Sequence, residues 1–312
     1  MKNLAEAVTE FMRLESAALS DEAAIYHRVV AGIHHLCAAV RDAETRGASR
    51  EEIQVVLAPA RALHAASPFV HRLQTWPRGY PGDYETIEYL CDCVTLAPRD
   101  SIAYYIEHHS LRDISAQQHR NKVAWQARCI LDTALRLPNA RILSLACGGS
   151  RDLRSIEALL ADRPLTIFLN DMDAGAIEHS LHHLPALAAS LQTIPGDVFT
   201  AARKFRTLAP LHLILAGGLF DYLNERQITW LLPKLFATLA PEGRICFTNL
   251  APGNPDRVWL EHIADWRILE RSEADIYHLV AESGLAAVSS VRITRDATGL
   301  TQLIELTKTN VA

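Results

Sequence analysis

Residues 141–160 read RILSLACGGSRDLRSIEALL. A short apolar run ends at Ala146, a glycine pair follows at Gly148-Gly149, and from about Arg151 the apolar residues fall at helical spacing. A buried strand that turns through glycine into a helix is the repeating unit of a parallel α/β sheet. Glycine at such a turn lets the backbone approach a ligand closely, and the first turn of the helix offers unpaired N–H groups. The spacing is not the G-x-G-x-x-G of dinucleotide-binding turns. No Gly-Lys-Ser/Thr follows, so it is not a phosphate-binding P-loop either. Alone, a glycine turn of this kind is as often structural as functional.

Toward the C-terminus the same texture repeats. Short apolar or β-branched runs stand at 141–146, 165–170, 191–194, 211–216, 243–248, 286–293 and 300–307. Helical patterns separate the earlier ones, at 151–161, 174–186, 198–206, 224–239 and 272–283. Alternation of this kind, with strands apolar on both faces, predicts a doubly wound, mostly parallel sheet. Only Asp296 to Gly299 separates the last two runs, which predicts a hairpin and one antiparallel strand at the end of the sheet.

Toward the N-terminus the texture is helical throughout. Phe11, Leu14 and Ala18, then Ile25, Val29, Ile33, Leu36 and Val40, recur every three or four residues. Ser20-Asp21-Glu22 and Ser49-Arg50-Glu51-Glu52 carry the cap residue and early acids of helix starts, and Gly47 reads as a stop. PRGYPG at 77–82 breaks the pattern with two Pro and two Gly. Helical texture returns at 83–96, 101–108 and 115–135. The chain thus divides into a helical cap or substrate domain, 1–136, and an α/β domain, 137–312.

Ligands of open α/β sheets bind outside the carboxyl ends of the strands, so the junctions there are the places to look. The second run ends in Asn170-Asp171, where Asp171 is placed to accept hydrogen bonds from ribose hydroxyls; Asp173 reads as the cap of the next helix. Pro195-Gly196-Asp197-Val198 puts a second acid at the third junction, within reach of an adenine amino group. Gly217-Gly218 opens the fourth, and Phe220-Asp221-Tyr222 follows it. Asp221 suits either a proton-accepting or amine-binding role, or the cap of a helix starting near Asn224. Gln118, His119 and Arg120 read as a solvated helix face, and Asn249 as a pocket wall beyond the fifth strand.

These junctions, in this order, resemble the class I S-adenosylmethionine-dependent methyltransferases over about 140–308. The resemblance implies a seven-stranded Rossmann-like sheet with a terminal hairpin, and S-adenosylmethionine as the cofactor. It places Ala146, Cys147, Gly148 and Gly149 in the cofactor loop, Asp171 and Met172 at the ribose, Asp197 and Val198 at the adenine, and Gly217 and Gly218 beneath the ligand. The loop departs from the family's usual acid-x-G-x-G form. RGYPGDYETIEYL at 78–90 resembles a signature of bacterial proteins described as fatty-acid methyl ester (extracellular factor) synthases. The same group includes enzymes that cyclise S-adenosylmethionine to azetidine-2-carboxylate.

Within that motif Arg78, Tyr80, Asp83 and Tyr84 surround a rigid Pro-Gly turn, which suits a lid over a charged ligand. Arg78 is fit to clamp a carboxylate, and a Tyr ring to lie against a sulfonium. The alternative is an ordinary helix start capped by Asp83. The catalytic candidates are therefore Arg78, Tyr80, Asp83, Tyr84 and Asp221.

Composition narrows the substrate. The net charge is −5, and residues 1–139 carry 15 basic and 17 acidic side chains, so neither half has the basic footprint of a nucleic-acid binder. No apolar run reaches the roughly 18 residues of a membrane span. The N-terminus lacks the unbroken apolar stretch of a signal peptide, and the six cysteines are scattered, which suits a reducing cytoplasm. The tandem histidines at 34–35, 108–109 and 182–183 do not share a helix face, and no metal is expected. The expected function is methyl transfer to a small carboxylate, hydroxyl or amine of specialised metabolism. The alternatives are S-adenosylmethionine cyclisation with release of methylthioadenosine, and a non-catalytic binding regulator. The helical region is suited either to capping its own sheet or to pairing in a homodimer.

Overall fold

The computed structural model describes residues 1–16 and 21–309. Ala18 and Ser20, named above, lie outside the described residues. The chain forms two compact units: Met1–Gln117 with Gly253–Arg267, and Gln118–Pro252 with Ile268–Ala312.

The first unit is helical. Helix Lys2–Met12 buries Leu4, Ala7, Val8 and Phe11, and it packs on helices Glu22–Thr45 and Arg50–His64. The stripe Ile25, Val29, Ile33, Leu36 and Val40 is buried as its spacing predicts. Gly32 is required where Phe11 crosses this helix, because a Cβ there would lie 2.9 Å from the phenyl ring. Asp21 caps the helix through the Ala24 N–H, and Ser49 with Glu52 forms a reciprocal capping box on the next. Gly47 follows with φ +83°, the left-handed geometry of a helix stop. After helix Pro68–Thr75 the chain turns through 77–82 into helix Tyr84–Asp92, and helix Ile102–Arg112 follows.

The second unit is a seven-stranded sheet. The strands are β1 (Ala140–Leu145), β2 (Leu165–Asp171), β3 (Leu191–Pro195), β4 (Leu211–Ala216), β5 (Leu239–Leu250), β6 (Ser289–Arg295) and β7 (Thr301–Lys308). Their order is β3-β2-β1-β4-β5-β7-β6. β1 to β5 pair in parallel, and β7 is antiparallel to both neighbours. The sheet is buried on both faces. Leu143, Leu145 and Phe168 join one apolar cluster with Ile214 and the helix Glu225–Phe236. Ile142, Ile167 and Leu213 join another with Trp125, Cys129 and Ile130 of the helix Ile114–Arg136 that leads into β1. Each such side chain contributes about 1.5–3 kcal/mol of hydrophobic burial.

Three sequence expectations are refined here. The antiparallel strand lies one place in from the sheet edge: β7 is buried over Thr301–Leu306 and takes the inner position, whereas β6 alternates and forms the edge. β5 begins at Leu239, where the preceding helical pattern had been expected to end, and a register irregularity with β4 absorbs the extra residues. The pattern at 151–161 is two short helices, Arg151–Arg154 and Glu157–Leu160. Among the described residues no helix is long and apolar enough to cross a membrane.

Candidate cofactor and acceptor site

β1 ends in a loop whose backbone is wound unusually tightly. Ala146, Gly148 and Ser150 all adopt positive φ, at +46°, +53° and +50°. Left-handed geometry at Ala146 and Ser150 costs energy that glycine would not incur, and such residues concentrate at binding sites. The Asp171 carboxylate, at the tip of β2, holds this loop in place. One oxygen accepts the Gly148 N–H at 2.8 Å and the other the Asp173 N–H at 2.9 Å. The Asp171 carbonyl accepts the Gly196 N–H at 2.8 Å, tying in the β3 tip. Burial pushes the Asp171 carboxyl above its ordinary range, and the N–H groups of Asp173 and Gly148 pull it back.

Two further groups in this region were not read from the sequence. Asn170 donates to the carbonyls of Ile194 and Gly196, at 2.7 and 2.9 Å, clamping β2 to the third junction. Asp152 is buried in the first turn after the loop, and burial raises its carboxyl to about 6. The buried Ser150 hydroxyl oxygen has no hydrogen-bond partner among the described residues. Cys147 is no reactive thiol, since burial and the nearby Asp171 push its pKa well up. The donors and acceptors fit a nucleoside: each Asp171 oxygen keeps acceptor capacity for a diol, and the tight loop brings backbone alongside it.

The remaining cofactor candidates stand at the same carboxyl edge. Met172 is exposed just beyond Asp171. Asp197 caps helix Val198–Phe205, accepting the Phe199 and Thr200 N–H groups on one oxygen, and Val198 faces the core. Gly217 lies beneath the Gln126 amide, where a Cβ would fall 2.2 Å from Oε1; Gly218 has open space.

Asp221 is buried and engaged. Its Oδ1 accepts the Leu250 N–H at 2.8 Å, and Lys122 Nζ stands 3.3 Å from Oδ2. The helix beyond is capped by Asn224 in a box with Gln227, so Asp221 has no part in the cap. Gln118 and His119 are buried along with Lys122, which corrects the expectation of a solvated face. Gln118 accepts a hydrogen bond from Thr301 Oγ1 at 2.7 Å. Asn249 is sealed rather than lining a wall, donating to Leu269 O and accepting from Arg271.

In the helical unit the motif residues gather among themselves. Asp83 is buried and caps helix Tyr84–Asp92 through the Thr86 N–H at 2.8 Å, while Arg72 Nη2 pairs with it at 2.7 Å. Glu85 bridges Arg72 and Arg78, and the Arg78 guanidinium lies 4.9 Å from the Tyr84 ring centroid. Tyr80 lies in the turn between. Arg72, eleven residues upstream, is the partner the motif did not reveal. Two further clusters of titratable groups lie elsewhere in this unit. Glu44, Glu261 and His262 lie at metal-ligand proximity, but Arg257 already bridges both carboxylates. Asp256 shares a site with Asp113 and accepts the Ser115 hydroxyl at 2.7 Å.

No protein-family model matches the chain, and no curated protein does. Among solved structures it is similar to a possible exported protein from Bordetella parapertussis, with TM-score 0.58 and 16% identity over 99% of this chain and 96% of that one. It is also similar to the pyocyanin biosynthetic protein PhzM, with TM-score 0.48 and 14% identity over 98% and 94%. A third is the magnesium protoporphyrin IX methyltransferase of Synechocystis PCC 6803 with bound SAH, with TM-score 0.47 and 11% identity over 63% and 88%. The fold implied by the sequence resemblance is the one observed: a seven-stranded mixed sheet after an N-terminal helical region, as in class I methyltransferases.

Proposed function

We propose that this chain binds S-adenosylmethionine at the carboxyl edge of its sheet and transfers the methyl group to a small acceptor. The observation that carries the reading is the Asp171 carboxylate, fixed by the Gly148 and Asp173 N–H groups at the point where β1 and β2 open. Those bonds orient the carboxylate before any ligand arrives, so little ordering is left to oppose binding. A sulfonium supplies an already activated methyl carbon. The protein's tasks are then to align the nucleophile, exclude water and manage the proton of the acceptor. The near-balanced charge of both halves favours a small molecule over a nucleic acid. In this reading the protein is cytoplasmic.

Incubation of purified protein with S-adenosylmethionine, followed by mass spectrometry, tests the reaction type. We expect no turnover of S-adenosylmethionine alone, and S-adenosylhomocysteine when small acceptors are added. Methylthioadenosine with a cyclic amino acid, formed without any acceptor, would replace methyl transfer by cyclisation.

A further inference from the structure

Lys122 is a buried cation with few partners. It belongs to the helix Ile114–Arg136, one turn before Gln126, and is 4% exposed. Printed bonds fix where its ammonium stands. Lys122 Nζ lies 3.3 Å from Asp221 Oδ2, and Asp221 Oδ1 accepts the N–H of Leu250, the last residue of β5. Asp221 closes the short turn Leu219–Asp221 that follows β4. The ammonium is therefore held where β4 and β5 end, and Gln126 covers Gly217 on the same helix's next turn.

An ammonium has three N–H donors. Among the described residues this one meets a single acceptor, at the long end of hydrogen-bond distance. Burying a charge with so little compensation is costly, and further acceptors recover the cost. The surrounding groups do not supply them. Arg271, also buried, spends its guanidinium on the carbonyls of Phe220 and Leu223 and on Asn249 Oδ1. The carboxylate that most supports its charge is again Asp221. One carboxylate thus serves two buried cations. Asp296, the other buried carboxylate at this edge, is enclosed by Asn121, Thr298 and the Thr301 N–H. A monoanionic ligand group would balance the second cation, whereas a dianion would be repelled by Asp221 in its turn.

We infer that Lys122 is a carboxylate-binding residue of the candidate site, gripping a ligand's carboxylate through the N–H groups that Asp221 leaves unused. The inference rests on the proposed binding of S-adenosylmethionine. Asp171, the ribose candidate, ends β2, and β1, β4 and β5 follow in order across the sheet. Two carboxylates belong to that side of the nucleoside: the one at the amino-acid end of the cofactor, and one carried by an acceptor beside it. Recognition is the same for both, a charge-assisted N–H···O bond from a fixed ammonium.

Calorimetry tells the two sources apart. S-adenosylhomocysteine and its decarboxylated analogue, which keeps the amine but lacks the carboxylate, are titrated into the wild type, Lys122→Met and the double variant Lys122→Met with Asp221→Asn. The double variant leaves no unpaired buried carboxylate and serves if the single one does not fold, as circular dichroism shows. If the cofactor supplies the carboxylate, the variants bind S-adenosylhomocysteine about tenfold or more weakly than the wild type, and bind the analogue equally well. If the acceptor supplies it, both nucleosides keep their affinities. The wild type then methylates small hydroxy acids about tenfold or more faster than the corresponding primary amides, and the variants lose that preference. An equal loss of affinity for both nucleosides marks a merely structural ion pair and overturns the inference. Unchanged affinities without an acid-over-amide preference, or without turnover of any hydroxy acid, overturn it too. A wild type that binds neither nucleoside defeats the cofactor reading itself, and the role of Lys122 falls with it.

Discussion

Gly217 shows how one residue can carry a spatial requirement. A methyl there would collide with the Gln126 amide at 2.2 Å, and the collision is with a side chain that can be shortened. We predict that Gly217→Ala destabilises the sheet unit by about 1–3 kcal/mol, as overpacking does. Gly217→Ala with Gln126→Ala should recover most of the loss in denaturant titrations. A double variant no more stable than the single one would show that the backbone, not Gln126, demands glycine. Residues of this kind differ in how legible they are. The place of Asp171 at the tip of β2 was readable because it ends a run whose apolar pattern marks a strand. The Lys122–Asp221 pair was not, because 99 residues separate its members: Asp221 was singled out as a proton acceptor, amine binder or helix cap, and nothing in the sequence joined Lys122 to it. His119 was read as solvated because one turn of polar residues, Gln117 to Asn121, looks like a surface; their partners Thr301 and Asp296 lie in a distant hairpin.

Among the elements, the 77–84 turn and its helix combine two readings that the sequence kept apart. Asp83 is a helix cap and also half of a buried ion pair with Arg72. Replacing it removes the cap, worth about 1 kcal/mol, and leaves Arg72 with Glu85 and the Thr86 hydroxyl, when loss of one buried partner costs about 3–5 kcal/mol. We predict that Asp83→Ala lowers the thermal stability of the protein by an amount in that range. Arg78→Ala, whose guanidinium is partly exposed, should keep the fold but lose turnover. A stable Asp83→Ala protein would mean that the turn is not held as described, and an active Arg78→Ala protein would reduce it to a structural bend. The terminal hairpin teaches a related lesson. Its two strands and their turn were visible as runs around Asp296–Gly299, yet which strand lies inside was decided by burial: Leu303, Ile304 and Leu306 are sequestered, whereas β6 leaves alternate residues in solvent. Sequence periodicity marks strands more readily than it orders them.

Across the whole molecule, the succession of an N-terminal helical region and a seven-stranded sheet was legible from texture, because the apolar period changes from three-to-four residues to short continuous runs. The pH response was not, since it comes from groups brought together only by folding. Asp256, beside Asp113, is raised to about 7, chiefly by burial and then by its neighbour's carboxyl. An unfolded aspartate titrates near about 4. Between those values the folded state holds a proton that the unfolded state has released, so this group's contribution is present at low pH and lost as pH rises through about 7. We predict that Asp256→Asn unfolds at nearly the wild-type temperature in acid, and that the variant becomes progressively the more stable as pH is raised to neutrality and above. A constant difference across the range would show that Asp256 ionises normally.

The most direct test of the central claim is a calorimetric titration of S-adenosylhomocysteine into the wild-type protein and into Asp171→Ala, with circular dichroism confirming that both are folded. Saturable one-site binding to the wild type, weakened by about tenfold or more in the variant, which corresponds to about 1.4 kcal/mol, is the predicted result. No binding to the wild type, or equal affinity for both proteins, would contradict the assignment of the carboxyl edge and Asp171 to this cofactor.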